Sequence, residues 1–161
     1  MSPSPTKAKL KYLRPFYDEY DDFFINCING EKSTVDYFWA IALNYKKIDV
    51  GGCQQKVKKD DQVLFAYTDI TPVGINTVFL KLSGPTLAII NRPVVLTVTD
   101  GGTGTPIRNA TVDGHQTNAQ GQVSIAFPRV GTQKPKAEKG SQPGAVFVRS
   151  NRLVIHVIVG P

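Results

Sequence analysis

Two histidines, two cysteines, one acidic run and a late surplus of cations are the residues of this 161-residue chain whose types can do chemistry. A catalytic centre needs a nucleophile, a base and an orienting group within reach of one another. His115 stands beside the turn Asp113-Gly114, and His156 alternates with apolar residues in the last apolar run. A shared site would require them to meet across a sheet, with no Cys or acid placed to complete it. No catalytic residue is therefore assigned, and a non-enzymatic protein is expected. Asp18, Glu19, Asp21 and Asp22 offer oxygen ligands of the kind calcium takes, but their spacing is not that of an EF-hand loop. They read as a solvated acidic surface, and no metal site is expected.

Charge is unevenly spread. Up to Leu82 there are 11 Lys and Arg against 10 Asp and Glu; from Ser83 onward there are 8 against 3. A one-signed surface attracts polyanions at long range, although net charge speaks first to solubility. Arg129, Lys134, Lys136, Lys139, Arg149 and Arg152 have few acids near them and form the candidate binding surface. Pairing of the last two apolar runs would bring these cations to one edge, suited to an acidic polysaccharide or an anionic membrane. Cations at a sheet edge also prevent strand addition, and that reading stands beside the first. No nucleic-acid motif accompanies the charge, so nucleic acid is not expected. In the first half, Lys46, Lys47, Lys56, Lys58 and Lys59 are interleaved with Asp49, Asp60 and Asp61, which makes a mixed, solvated face.

The elements that must position these residues read as strands. Gly 14 and Pro 11, with many Val, Ile and Thr, favour strands joined by turns. Residues 1–9, rich in Ser, Pro, Thr and Lys, read as a disordered tail, and residues 9–16 as a first strand. Residues 18–22 can open a short helix. The run Phe23-Phe24-Ile25-Asn26-Cys27-Ile28 reads as a strand ending at the turn dipeptide Asn29-Gly30. Between residues 37 and 45, alternation puts Tyr37, Trp39, Ile41, Leu43 and Tyr45 on one face and Phe38, Ala40 and Ala42 on the other. The aromatic stripe reads as core, with stacking of sugars or bases as the sharper alternative. The small face would let another element approach closely. Residues 62–67 and 79–82 are further strands.

Composition and charge change at Ser83-Gly84-Pro85, the expected domain boundary. Beyond it the chain reads as an antiparallel sandwich with strands at 86–90, 94–99, 110–112, 123–127, 134–138 and 153–159. Leu96 and Val98 should face one way, Val95 and Thr97 the other. No run reaches the apolar length of a membrane-spanning helix.

Two stretches carry a resemblance. Phe38-Trp39-Ala40-Ile41-Ala42-Leu43-Asn44-Tyr45, then Val50-Gly51-Gly52-Cys53-Gln54-Gln55, then Asp60-Asp61-Gln62-Val63-Leu64-Phe65-Ala66 resemble a domain of unknown function related to the C-terminal domain of transcobalamin. Asp60 stands where that family usually has Gly. In the second half, residues 103–112, Thr117-Asn118-Ala119-Gln120-Gly121 and Val148-Arg149-Ser150-Asn151 resemble Ig-like and carboxypeptidase-regulatory-like domains, which commonly have Asp where this chain has Asn118. The first resemblance implies a β-grasp-like fold, a twisted sheet crossed by a helix. Together they resemble secreted proteins of fungi and some bacteria, and imply an extracellular location.

The fold class that follows is mainly β: a small β-grasp-like domain over residues 10–83, then an Ig-like sandwich over 84–161. Secretion implies that Cys27 and Cys53 form one intrachain disulfide in an otherwise Cys-free chain. Neither resemblance carries known chemistry. No cofactor is implied either, because one domain of the transcobalamin type lacks the enclosing partner that holds a corrinoid. The function expected is that of a secreted binding or adhesion module recognising an extracellular macromolecule, an acidic polysaccharide or a protein receptor. An effector acting on another organism's receptor is the alternative within the same location, and an uncharacterised enzyme the alternative from another class.

Overall fold

The computed structural model describes residues 16–17, 22–69, 78–140 and 147–161. The expected tail at 1–9, most of the expected strand at 9–16 and most of the acidic run at 18–22 lie outside them. The described residues are all β with no helix, so the helix that a β-grasp implies is not among them, nor is any helix long and apolar enough to cross a membrane.

Short antiparallel pairs come first among the described residues. Strands β1 (Phe16–Tyr17) and β2 (Asp22–Phe23) pair antiparallel, as do β3 (Cys27–Ile28) and β4 (Glu31–Lys32). Asn29 and Gly30 join the second pair with φ of 51° and 92°, the left-handed pair that a two-residue hairpin turn requires. Strand β5 (Tyr37–Leu43) is the centre of the next sheet, between β6 (Lys46–Lys47) and β7 (Val63–Asp69). Register sets the faces: Trp39 lies opposite Tyr67, Ile41 opposite Phe65 and Leu43 opposite Val63, whereas Ala40 lies opposite Ala66 and Ala42 opposite Leu64. The small face is the more deeply buried one. Ala40, Ala42 and Ala66 cluster with Phe79 and Tyr45, and Val148 packs on them. The aromatic face is half-buried, with the β3–β4 hairpin bonded to one end of it. Trp39 Nε1 donates to the Glu31 carbonyl (2.9 Å) and the Tyr67 hydroxyl to that of Lys32.

Tyr45 is not on the strand. It shares the β5–β6 turn with Asn44, at φ of 52° for Asn44 and 67° for Tyr45. Its ring lies against Gly101 so closely that a Cβ there would meet the ring carbons at 2.3 Å. Burial pushes the Tyr45 phenol above its ordinary pKa. Asn44 holds the turn in place: its amide donates to Asp61 Oδ1 (2.8 Å) and its carbonyl oxygen accepts from the Gln62 backbone N–H (2.9 Å).

The rest of the described chain surrounds one larger core. Strand β8 (Leu80–Ser83) reaches β9 (Leu87–Ile89) through Gly84-Pro85, and β10 (Pro93–Asp100) follows. Then come β11 (Thr111–Val112), β12 (His115–Gln116), β13 (Gln122–Ala126), β14 (Gly131–Gln133), β15 (Ala137–Gly140), β16 (Phe147–Arg149) and β17 (Ile155–Ile158). They form three sheets, ordered β13–β10–β8, β12–β11–β15–β16 and β14–β17–β9. Leu80, Leu82, Leu96, Val98, Val112 and Ile155 are the largest wholly buried side chains. The strand before Gly84 therefore belongs, by pairing with β10 and by its two leucines, to the core of the residues after Gly84. The change of composition at Gly84-Pro85 marks the bend from β8 to β9 inside that unit.

Two polar side chains replace missing ladder bonds. Asn151 Oδ1 accepts from the Leu82 N–H (2.8 Å) and its Nδ2 donates to the Leu82 carbonyl (3.1 Å), closing that position of the β8 edge. Asn118 Oδ1 accepts from the Gln120 and Gln122 N–H groups, at 3.0 and 2.9 Å. This acceptor-only role is one an Asp carboxylate fills equally well.

Candidate functional site

The six candidate cations do not share one strand pair. Of the expected strand at 134–138 only Ala137 and Glu138 are in a strand, β15, which pairs with β11 and β16; residues 134–136 connect it to β14, which ends at Gln133 and pairs with β17. Pro135 cannot donate to a ladder, and the chain changes sheets there. The expected edge between the last two runs is therefore replaced by a crossover.

Two of the six are engaged within the fold. Arg149 Nε donates to Glu138 Oε1 at 2.9 Å, the one ion pair among the described residues. Lys139 Nζ donates to the Arg108 carbonyl at 2.7 Å and to that of Asn109 at 3.3 Å. The other four line the β14–β17 pair. Lys134 follows β14, and the Leu153 N–H bonds to the Pro135 carbonyl (3.1 Å), which lays residues 134–136 beside 152–153. The backbone positions of Lys134, Lys136 and Arg152 thus fall together at the start of β17. Arg129 precedes β14 at the opposite end, where its carbonyl accepts from the Gln133 side chain (3.2 Å).

Arg92 was not singled out from the sequence, yet it joins Arg129. The Asn91 N–H bonds to the Phe127 carbonyl (2.9 Å) and the Arg92 N–H to that of Ile89 (3.1 Å), which places residues 91–92 beyond the same end of the sheet. Its only signal in the sequence was an Arg two residues after a candidate strand. The closing of β9 onto β17 in parallel, which brings it here, leaves no local trace. Arg92, Arg129, Lys134 and Arg152 are exposed and Lys136 is half-buried. No acid occurs in 85–92, 128–136 or 152–161. An arrangement of this kind attracts anionic groups, and the attraction is screened over about 8 Å at physiological ionic strength.

The remaining candidates are separated. His115 lies on β12, with Nδ1 3.0 Å from the Asp113 carbonyl oxygen, whereas His156 lies on β17, with Nδ1 3.3 Å from Thr132 Oγ1. The two rings belong to different sheets. Cys27 and Cys53 are not bonded, which corrects the expected disulfide. Cys27 is buried in the β3–β4 hairpin and Cys53 is exposed in the turn after Gly52. A disulfide requires the two Cβ atoms within about 4.5 Å and pointing at each other, and these thiols occupy an interior and a solvent position. No group of three or more His, Cys, Asp or Glu suited to a metal ion occurs among the described residues. Tyr37 stacks on Tyr67 and Trp39 packs on it at a tilt, at ring-centroid distances of 5.7 and 5.2 Å, so these aromatics chiefly hold one another.

No curated protein and no solved structure matches the chain. Residues 9–69 match the model of a family described as a domain of unknown function (DUF4430), which makes this stretch similar to the transcobalamin-like domains of unknown function.

Proposed function

We propose that the chain is a secreted, non-enzymatic binding module whose second half is an Ig-like sandwich that recognises an acidic polysaccharide. The observation that carries this reading is the set of five cations around the β14–β17 pair with no acid in the segments that present them. Lys139 and Arg149, tied to carbonyl oxygens and to a carboxylate, contribute less to a free surface. A sulfated polysaccharide offers repeated anions along its length, which can meet cations at both ends of the strand pair without an enclosed pocket.

Retention on a sulfated-polysaccharide column tests this. The protein should bind at low salt and elute as salt rises. Replacing Arg129, Lys134, Lys136 and Arg152 by Ser should shift elution to distinctly lower salt, the three exposed changes, at Arg129, Lys134 and Arg152, costing under about 0.5 kcal/mol of stability each. Replacing Lys46 and Lys47 of β6 by Ser should shift it much less, because that change lies on another sheet. No retention, or elution indifferent to the four substitutions, overturns the reading.

A further inference from the structure

The outer face of the β14–β17–β9 sheet is apolar where a solvated sheet would be polar. Along β17, Ile155 and Val157 are buried, and Val154, His156 and Ile158 alternate with them on the outside. Register places Leu87 and Thr132 on either side of His156, and Ile89 beside Ile158. Leu87 is 55% exposed, Ile158 44%, and Val130, which precedes β14, 53%. Its two central polar groups face each other, His156 Nδ1 and Thr132 Oγ1 standing 3.3 Å apart. Contiguous exposed apolar surface of this kind marks an interaction site more often than single scattered residues do.

We infer that this face docks on an anionic lipid surface, its apolar side chains entering the headgroup boundary and its cations meeting the headgroups. The inference rests on the preceding reading that these cations form the binding surface, and it names a different anion source. The placement of charge carries it. Lys134 and Arg152 lie beyond one end of the three strands, Arg92 and Arg129 beyond the other, and no acid interrupts the segments between. An apolar centre between two cationic ends matches an interface whose anions overlie hydrocarbon. A second copy of this chain would set cations against cations across a two-fold axis. A polysaccharide would use the ends and leave Leu87, Val130 and Ile158 in water.

Co-sedimentation of the full chain with vesicles tests the inference, using phosphatidylcholine alone and phosphatidylcholine mixed with phosphatidylserine. Binding is expected to the mixed vesicles and to be much weaker to the neutral ones. Leu87→Ser with Ile158→Ser should lower partition into mixed vesicles by about tenfold, since both side chains are partly apolar contact in the bound state. The same pair should leave retention on the sulfated polysaccharide unchanged. Arg129→Ser with Lys134→Ser should weaken both, vesicle binding by about fivefold per cation. Far-ultraviolet circular dichroism of each variant confirms that it is folded. Mixed-vesicle binding that is absent, or equal for the Leu87/Ile158 variant and the parent, overturns the inference. If polysaccharide retention persists in that case, the polysaccharide reading stands alone, and if neither probe binds, both fall.

Discussion

Asp60 holds a φ of 72°, a backbone angle that costs an L-residue with a Cβ and costs glycine almost nothing. The aspartate accepts this conformation because short polar side chains tolerate it best. Asp60→Gly should therefore raise stability by about 0.5 kcal/mol, against the usual loss from adding a glycine. The midpoint of urea unfolding reads this directly, and a lower midpoint would show that the side chain gives more than the angle takes. Its neighbour Asp61 behaves differently. The Asn44 amide and the Lys58 N–H hold its carboxyl below the usual aspartate range. That carboxylate favours the folded state above its ordinary pKa and ceases to do so as pH falls through the depressed value.

At the scale of the element, the long β5, β7, β10 and β13 were legible, as were the short β9 and β11, whereas β14 and β16 were not. Residues 96–99 alternate apolar with Thr, and 123–127 set Val, Ile and Phe on one side, and β10 and β13 bury Leu96, Val98, Val123 and Ile125 as that alternation requires. Strands of two or three residues, such as β14 and β16, are too short to show a period and exist because a neighbour pairs with them. The β5–β6 turn was missed because its second residue is Tyr45, which looks like one more aromatic in a stripe. The face of β5 that packs most deeply was legible as small but not as core, since Phe79 and Val148 come from distant sequence to fill it. The cation site was half legible: the surplus shows in composition, but its division between bound and free cations depends on the crossover at Pro135. The β8 edge depends on Asn151. Asn151→Ala removes both its bonds to Leu82 and should destabilise the fold by about 1–2 kcal/mol. Asn151→Asp should not restore it, because a carboxylate cannot donate to the Leu82 carbonyl. Full stability in the aspartate variant, measured by urea unfolding, would show that only the acceptor matters.

At the scale of the molecule, Val148 packs against both hydrophobic clusters. The ring of Tyr45, in the smaller one, lies against Gly101, with Lys81 Nζ 5.7 Å from the ring centroid. Gly101→Ala puts a methyl group into the space of the ring and should destabilise the protein by about 1–3 kcal/mol. In a Tyr45→Ser background the same alanine should cost far less, and a double-mutant cycle of unfolding free energies measures the difference. Additive costs would mean that the methyl group finds room elsewhere.

The parallel pairing of β9 with β17 bears on how the molecule carries load. Tension applied through the chain before β9 and after β17 pulls these two neighbours along their length in opposite directions. Their interstrand bonds, with those of Ile90 to Ile158 and of His156 to Thr86, then share the force in shear instead of opening one after another like a zip. The antiparallel β8, hanging on β10 by its own ladder and on Asn151, lies ahead of that clamp on the amino-terminal side. A pull from that side must part β8 from its neighbours before the shear bonds bear the full strain.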